Sequence, residues 1–461
     1  MVSKMKLIRD SFALALTLVL TVVLWLTNGT NAWAFCGFYV AKADSKLYNQ
    51  ASQVAIARAG NRTILTMAND YQGEVKDFAI VVPVPTAIKK EQVNVAAPGI
   101  IERLDAFSAP RLVEYFDPDP CTVPDLRYER IPAGAPAPEA LSSMEFGANR
   151  AKSLGVTIEE KFTVGEYDIL ILSAKESDGL ETWLRESGYK MPKGASPLLK
   201  PYIRQKMKFF VAKVNLDKFD ESGFTRLRPI QIAYESPKFM LPIRLGMMNA
   251  QTAQDLIVYI LSPQGRAEVS NYRTVKIPSN SELPAFVKSE FNDFYKAMFM
   301  TSYDRENRNV VFLEHAWDMA GCDPCSADPL SQDELKQAGV FWLDAPPSSD
   351  RRFAPMQSRV FLTRLHVRYD RAHFPEDLAF QATNNQEFFQ GRYIMNHPFT
   401  GEAKCDQAKN YKRSLVKRFD QEAQNLARLT GWNIQEIRRK QPKLNLADLP
   451  WWEKFWAVLQ G

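Results

Sequence analysis

Cys322-Asp323-Pro324-Cys325 stands after the strand-like run VVFLEHAW, with Trp317 five residues upstream. Two cysteines at this spacing can form a dithiol whose first thiolate is activated at a helix N-terminus. Here Ser326-Ala327-Asp328-Pro329 follows, and Pro329 is awkward in a helix beyond its first turn. The redox reading therefore competes with a structural role for the five cysteines, Cys36, Cys121, Cys322, Cys325 and Cys405. In the structural reading Cys36 pairs with Cys121, holding a fraying N-terminus against a proline-rich run, and Cys405 pairs with Cys322 or Cys325. The redox reading expects a reversible Cys322–Cys325 bridge and a free Cys405.

Zinc needs three or four converging donors. Cys322, Cys325, Cys405 and His397 can be drawn as such a set on paper, but they are scattered, and thiols in an exported chain oxidise. No metal or other cofactor is expected. The four histidines, His315, His366, His373 and His397, read as structural. Glu314-His315 stands alone and lacks the HExxH pattern, and there is no nucleophile elbow, P-loop or GxGxxG. A hydrolase triad is assembled in space from residues distant in sequence and needs none of these motifs. Asp117-Pro118-Asp119 resembles the start of a calcium loop but lacks the glycine and distal glutamate that close one, and an acidic turn explains it as well.

The elements that must position these residues are predicted from periodicity. Alternating runs mark strands at 52–58, 62–68 and 78–84, with a Gly60-Asn61 hairpin turn between the first two. A helical period runs from 99 to 116 around Pro110, and prolines mark 121–138 as an extended connection. GVTIEEKFTV and YDILILSA form a second hairpin. A helix capped by Ser177 or Asp178 and another over 196–206 follow, then the strands KFFVAKVNL, RPIQIAYES, KFMLPIRLGM and DLIVYIL. Successive strands on short links argue for antiparallel or mixed sheets. Phe291, Phe294, Tyr295, Met298 and Phe299 make an aromatic stripe that reads as core. VVFLEHAW, VFLTRLHVRY and EFFQGRYIM are further strands, and a helical region covers about 406–440. The fold class is α+β, with flanking helices and a helical C-terminal region. Its parts are 35–120 (β-rich), 121–138 (connection), 139–403 (central body) and 404–461 (basic helical region).

The first 34 residues read as an export signal: Lys4, Lys6 and Arg9, an apolar run over 11–26, then Ala32-Trp33-Ala34 with cleavage expected before Phe35. An uncleaved membrane anchor is the alternative. Hydrophobic residues at 46% and charged residues at 24% exclude disorder for the bulk of the chain. Between Lys404 and Lys443 eleven basic residues face four acidic ones, a balance that suits a solvated helix face, or contact with an anionic membrane surface or cell-wall polymer. Nucleic acid is not an expected partner of an exported chain. Beyond it, Trp451 and Trp452 precede Phe455, Trp456 and Leu459, and Trp452, Phe455, Trp456 and Leu459 share one helical face that must be buried against the chain's own body or a membrane interface.

TVGEYDILILSAKESDGLETWLRESGY, KFFVAKVNL, FMLPIRLGM, the CDPCSADPLS block and EAQNLARLTGW occur in the order of, and resemble, a bacterial exported family known only as domain-of-unknown-function family 2330. CGFYVAKADSKLYNQASQVAIAR and FAIVVPVPT match its N-terminal part. The resemblance implies bacterial export and supplies no catalytic residues. The expected role is a periplasmic or secreted protein that binds or organises an envelope component. The alternative is an exported enzyme, either a hydrolase or a thiol oxidoreductase using Cys322 and Cys325.

Overall fold

The computed structural model describes residues 38–41, 48–49, 52–68, 71–72, 78–122, 155–187, 195–224, 227–248, 253–322, 327–344, 359–374 and 376–443. The signal region, most of the proline-rich connection, Cys36, Cys325 and the Trp-rich segment lie outside these residues.

Hydrophobic alternation builds two sheets that share a core. The larger runs in the order Arg273–Lys276, Val310–Asp318, Phe361–Tyr369, Gln254–Ser262, Ser52–Ala59, Arg62–Ala68, Ile230–Glu235 and Val93–Val95, with Phe389–Gln390 paired to the Val310–Asp318 strand. It is mixed: Gln254–Ser262 runs parallel to Ser52–Ala59 and antiparallel to Phe361–Tyr369. The smaller sheet, Phe38–Ala41, Phe78–Val84, Lys208–Val214, Tyr167–Ala174 and Val156–Val164, is antiparallel throughout. Val54, Ile56, Val258, Ile260, Leu365 and Val367 of the first sheet meet Ile80, Val82, Phe210 and Ala212 of the second. Helices cover both outer faces. On the small sheet lie α2 (Ser177–Glu186) and α3 (Ala195–Arg204); on the large one α1 (Gly99–Ser108) and α5 (Phe291–Arg305). Short α4 (Leu216–Ser222) adds Phe219 to the core between the sheets, and short α6 (Gln332–Gln337) packs Leu335 into the same cluster as α1. Burial on both faces explains why every residue of Gln254–Ser262 is buried and why that stretch is so continuously apolar.

The mixed α+β class and most of the expected strands stand as read. Three elements differ. The helical period expected through residue 116 stops at Ser108; after Pro110, Arg111–Phe116 is a strand running parallel to Arg392–His397. Proline interrupts the helical bonding, and the partner strand, far away in sequence, takes the backbone groups. KFMLPIRLGM is extended only at Met240–Leu241 and then becomes a 3-10 turn over Arg244–Met248, because Pro242 has no donor for a ladder. The C-terminal helical region divides into α7 (Asp406–Thr430) and α8 (Ile434–Lys440) at Gly431, whose φ of 74° ends the first helix. At α2 the expected side-chain cap is absent: Glu176 holds the capping position and makes no cap hydrogen bond.

Candidate functional site

The parallel pairing of Arg111–Phe116 with Arg392–His397 decides the cysteine chemistry. Phe116 lies opposite His397, and the Asp117 N–H donates to the His397 carbonyl at 2.9 Å, so both strands release their chains at the same end. Cys121 and Cys405 meet there in a disulfide with Cα atoms 5.8 Å apart. This corrects the expected pairings of Cys36 with Cys121 and of Cys405 with Cys322 or Cys325, and equally the free Cys405 of the redox reading. Those pairings followed loop position along the chain and did not anticipate a strand neighbour nearly 300 residues away. Cys322 is disulfide-bonded as well, through a partner outside the described residues. The zinc set drawn from sequence loses Cys405 to its bridge, and His397 Nε2 sits 2.8 Å from Glu114 with its ring stacked on Phe116. Asp117 is held by Arg418 at 2.9 Å, and the Cys121 N–H donates to Asp119 at 2.8 Å, so these acids serve a turn and a helix contact.

The convergent chemistry lies elsewhere, on the outer face of the large sheet beneath α1 and α5. Strand alternation sends Arg364, His366 and Arg368 to this face and leaves Leu365 and Val367 in the shared core. On the neighbouring strand a bulge between Leu313 and His315 leaves Glu314 without an opposite number. Glu314 has no exposed surface. Its carboxylate accepts from Arg364 Nε at 2.6 Å and lies 2.9 Å from His366 Nδ1, and the Tyr295 hydroxyl donates to it from α5. His366 Nε2 is 3.1 Å from Asp255, which also binds Arg368. On the other side Arg364 Nη1 reaches Asp105 of α1 at 2.6 Å, and Tyr259 donates to the same carboxylate at 2.7 Å. Phe299 stacks on His366 at 4.0 Å between ring centres.

Three cations, Arg364, His366 and Arg368, thus interleave with three carboxylates, Asp105, Asp255 and Glu314. Burial works against the His366 charge, but the Glu314 and Asp255 carboxylates overcome it and raise the imidazole to about 9. Burial likewise opposes ionisation of Glu314, and the His366 and Arg364 charges win, holding the carboxyl down at about 2. At neutral pH His366 is an imidazolium with both N–H groups committed to carboxylates. It has no lone pair for general-base work, and Tyr295, pushed well above the ordinary phenol range by burial and by Glu314, stays protonated. The cluster is a charge-balanced brace, buried at Glu314 and His366 and partly exposed at Asp105.

The adjacent His315 contrasts with it. Burial, and then the positive charges of Arg111 and Arg364, push its ring down to about 3, so it is neutral. Neither ring nitrogen has a hydrogen-bond partner, nor does the amide of Gln390 opposite it in register. His373 pairs with Asp370 at 2.8 Å in a turn. His366, His373 and His397 each pair with a carboxylate and His315 does not, where the sequence reading expected structural histidines. That reading missed the brace itself. The available signal was Arg364, His366 and Arg368 at alternate positions of an otherwise apolar strand, which must face one way and need buried acids as neighbours.

Among the described residues no three His, Cys, Asp or Glu side chains are grouped to hold a metal ion. None of the helices there is long and apolar enough to cross a membrane. A cleft of about 260 Å³ opens between the start of α5 and α8. Cys325, Trp451, Trp452 and Trp456 lie outside the described residues, and Cys322 packs against the apolar cluster beneath α1. No curated protein and no solved structure matches the chain. A family model described as "Uncharacterized protein conserved in bacteria (DUF2330)" matches residues 30–381.

Proposed function

Starting from the chain's membership of this family of uncharacterised bacterial proteins, we propose that it is an extracytoplasmic protein that binds or organises a component of the bacterial envelope and makes no bonds of its own. The observation that carries this reading is His366: the one buried histidine set among carboxylates has both nitrogens occupied and no nucleophile to activate. The Cys121–Cys405 bridge supports an oxidising compartment. The test is cross-linking in intact cells followed by purification, with hydrolysis of ester, peptide and glycoside panels measured in parallel. Recovery of a stable envelope complex with no turnover is expected. Turnover that disappears in His366→Gln while the fold is retained would overturn the proposal.

A thiol oxidoreductase using Cys322 and Cys325 is the second reading, favoured by the disulfide-bonded state of Cys322. It requires insulin reduction that is lost in Cys322→Ser.

A further inference from the structure

The cleft between α5 and α8 has an apolar floor and a charged rim. Phe286, Trp432 and Ile437 form the floor; Glu290, Glu436 and Lys440 stand around it. Lys440 Nζ is held by both oxygens of Glu290, at 2.7 and 2.8 Å, and lies over the Phe286 ring at 5.2 Å. Phe286, under Lys440, and Trp432 remain half-buried where the core beneath is closed. The volume falls below the roughly 300–1,000 Å³ of small-molecule pockets. It suits an aromatic side chain anchoring a peptide segment.

Lys440 is both the last residue of α8 and part of the cleft's rim, so the chain leaves that helix beside the opening. Residues 444–461 follow, and in them Trp452, Phe455, Trp456 and Leu459 recur at helical spacing on one face. Trp452 lies nine steps along the chain from Lys443, and extended these span about 30 Å, ample to turn back onto the cleft. A tethered segment also meets its site at an effective concentration on the order of millimolar, ahead of any free partner at micromolar levels. We infer that the face formed by Trp452, Phe455, Trp456 and Leu459 docks into the cleft floored by Phe286, Trp432 and Ile437.

Hydrogen exchange read by mass spectrometry on the full exported chain tests this. The double variant Trp452→Ser/Trp456→Ser should exchange amides of α8 and of residues 285–295 about tenfold faster, with sheet amides unchanged. Trp432→Ala should give the same local pattern, and combining it with the tail variant should add little. Trp456→Phe, which keeps an aromatic anchor, should restore protection. Unchanged exchange in both the tail and the Trp432 variants overturns the inference. So does loss of binding to anionic vesicles in the tail variant without any change at the cleft, which assigns the segment to a membrane, or a fall in molecular mass by light scattering, which assigns it to a second copy.

Discussion

Glu314 stays ionised with no exposed surface because two cations are fixed against it, and that arrangement fails asymmetrically. Glu314→Gln leaves Arg364 and His366 buried against one fewer charge, so unfolding in urea at pH 7 should show a loss of about 3–5 kcal/mol. The two histidines of this region respond oppositely to pH. His366, raised to about 9 from an ordinary 6.5, contributes stability that is full below 6.5 and lost as pH rises through 9. His315, lowered to about 3, contributes stability that is full above 6.5 and lost as pH falls toward 3. Chemical denaturation across pH 4 to 10 should therefore show His366→Gln flattening the alkaline fall and His315→Leu flattening the acid one. His315→Leu should also hold or raise stability at pH 5, since it removes two unsatisfied ring nitrogens from the interior. Composition could not reveal this site. Each member is an ordinary residue on its own strand or helix, and only the bulge at Glu314 and the packing of α1 and α5 bring Asp105, Asp255, Tyr295 and Arg364 together.

At the level of elements, the legible parts were those whose period is set locally. Ser52–Ala59 and Arg62–Ala68 were readable because a Gly-Asn turn joins two alternating runs, and Gln254–Ser262 because an apolar run of that length is a doubly covered strand. Arg111–Phe116 was misread because RLVEYF suits either period, and its partner strand lies nearly 300 residues on. Gly431 shows the converse, a local break hidden within a long amphipathic pattern. An added Cβ at Gly431 meets nothing within 4 Å, so the cost of Gly431→Ala is backbone strain alone. We expect about 1 kcal/mol, seen as a shifted denaturant midpoint with an unchanged m-value.

At the level of the whole molecule, the Cys121–Cys405 bridge spans 284 residues and fastens the start of α7 to the end of the parallel strand pair. A chain-entropy estimate for a loop of that length is about 6 kcal/mol. Cys405→Ser should lose a large part of this, and the reduced wild-type protein should unfold at a lower urea concentration than the oxidised one. An unchanged midpoint on reduction would mean that the Asp117–Arg418 and strand contacts suffice to hold α7.

The central position of the Ser52–Ala59 strand also sets a timetable. It is made early, yet one of its two edges is filled only by Gln254–Ser262, which in turn needs Phe361–Tyr369 on its far side. Through the synthesis of some 200 residues the hairpin of Ser52–Ala59 and Arg62–Ala68 has an open edge of β-branched and alanine side chains, the kind of surface that seeds sheet-to-sheet association. The keystone is cut early and set late, so this edge must be kept from other partners until well over half of the chain has been delivered.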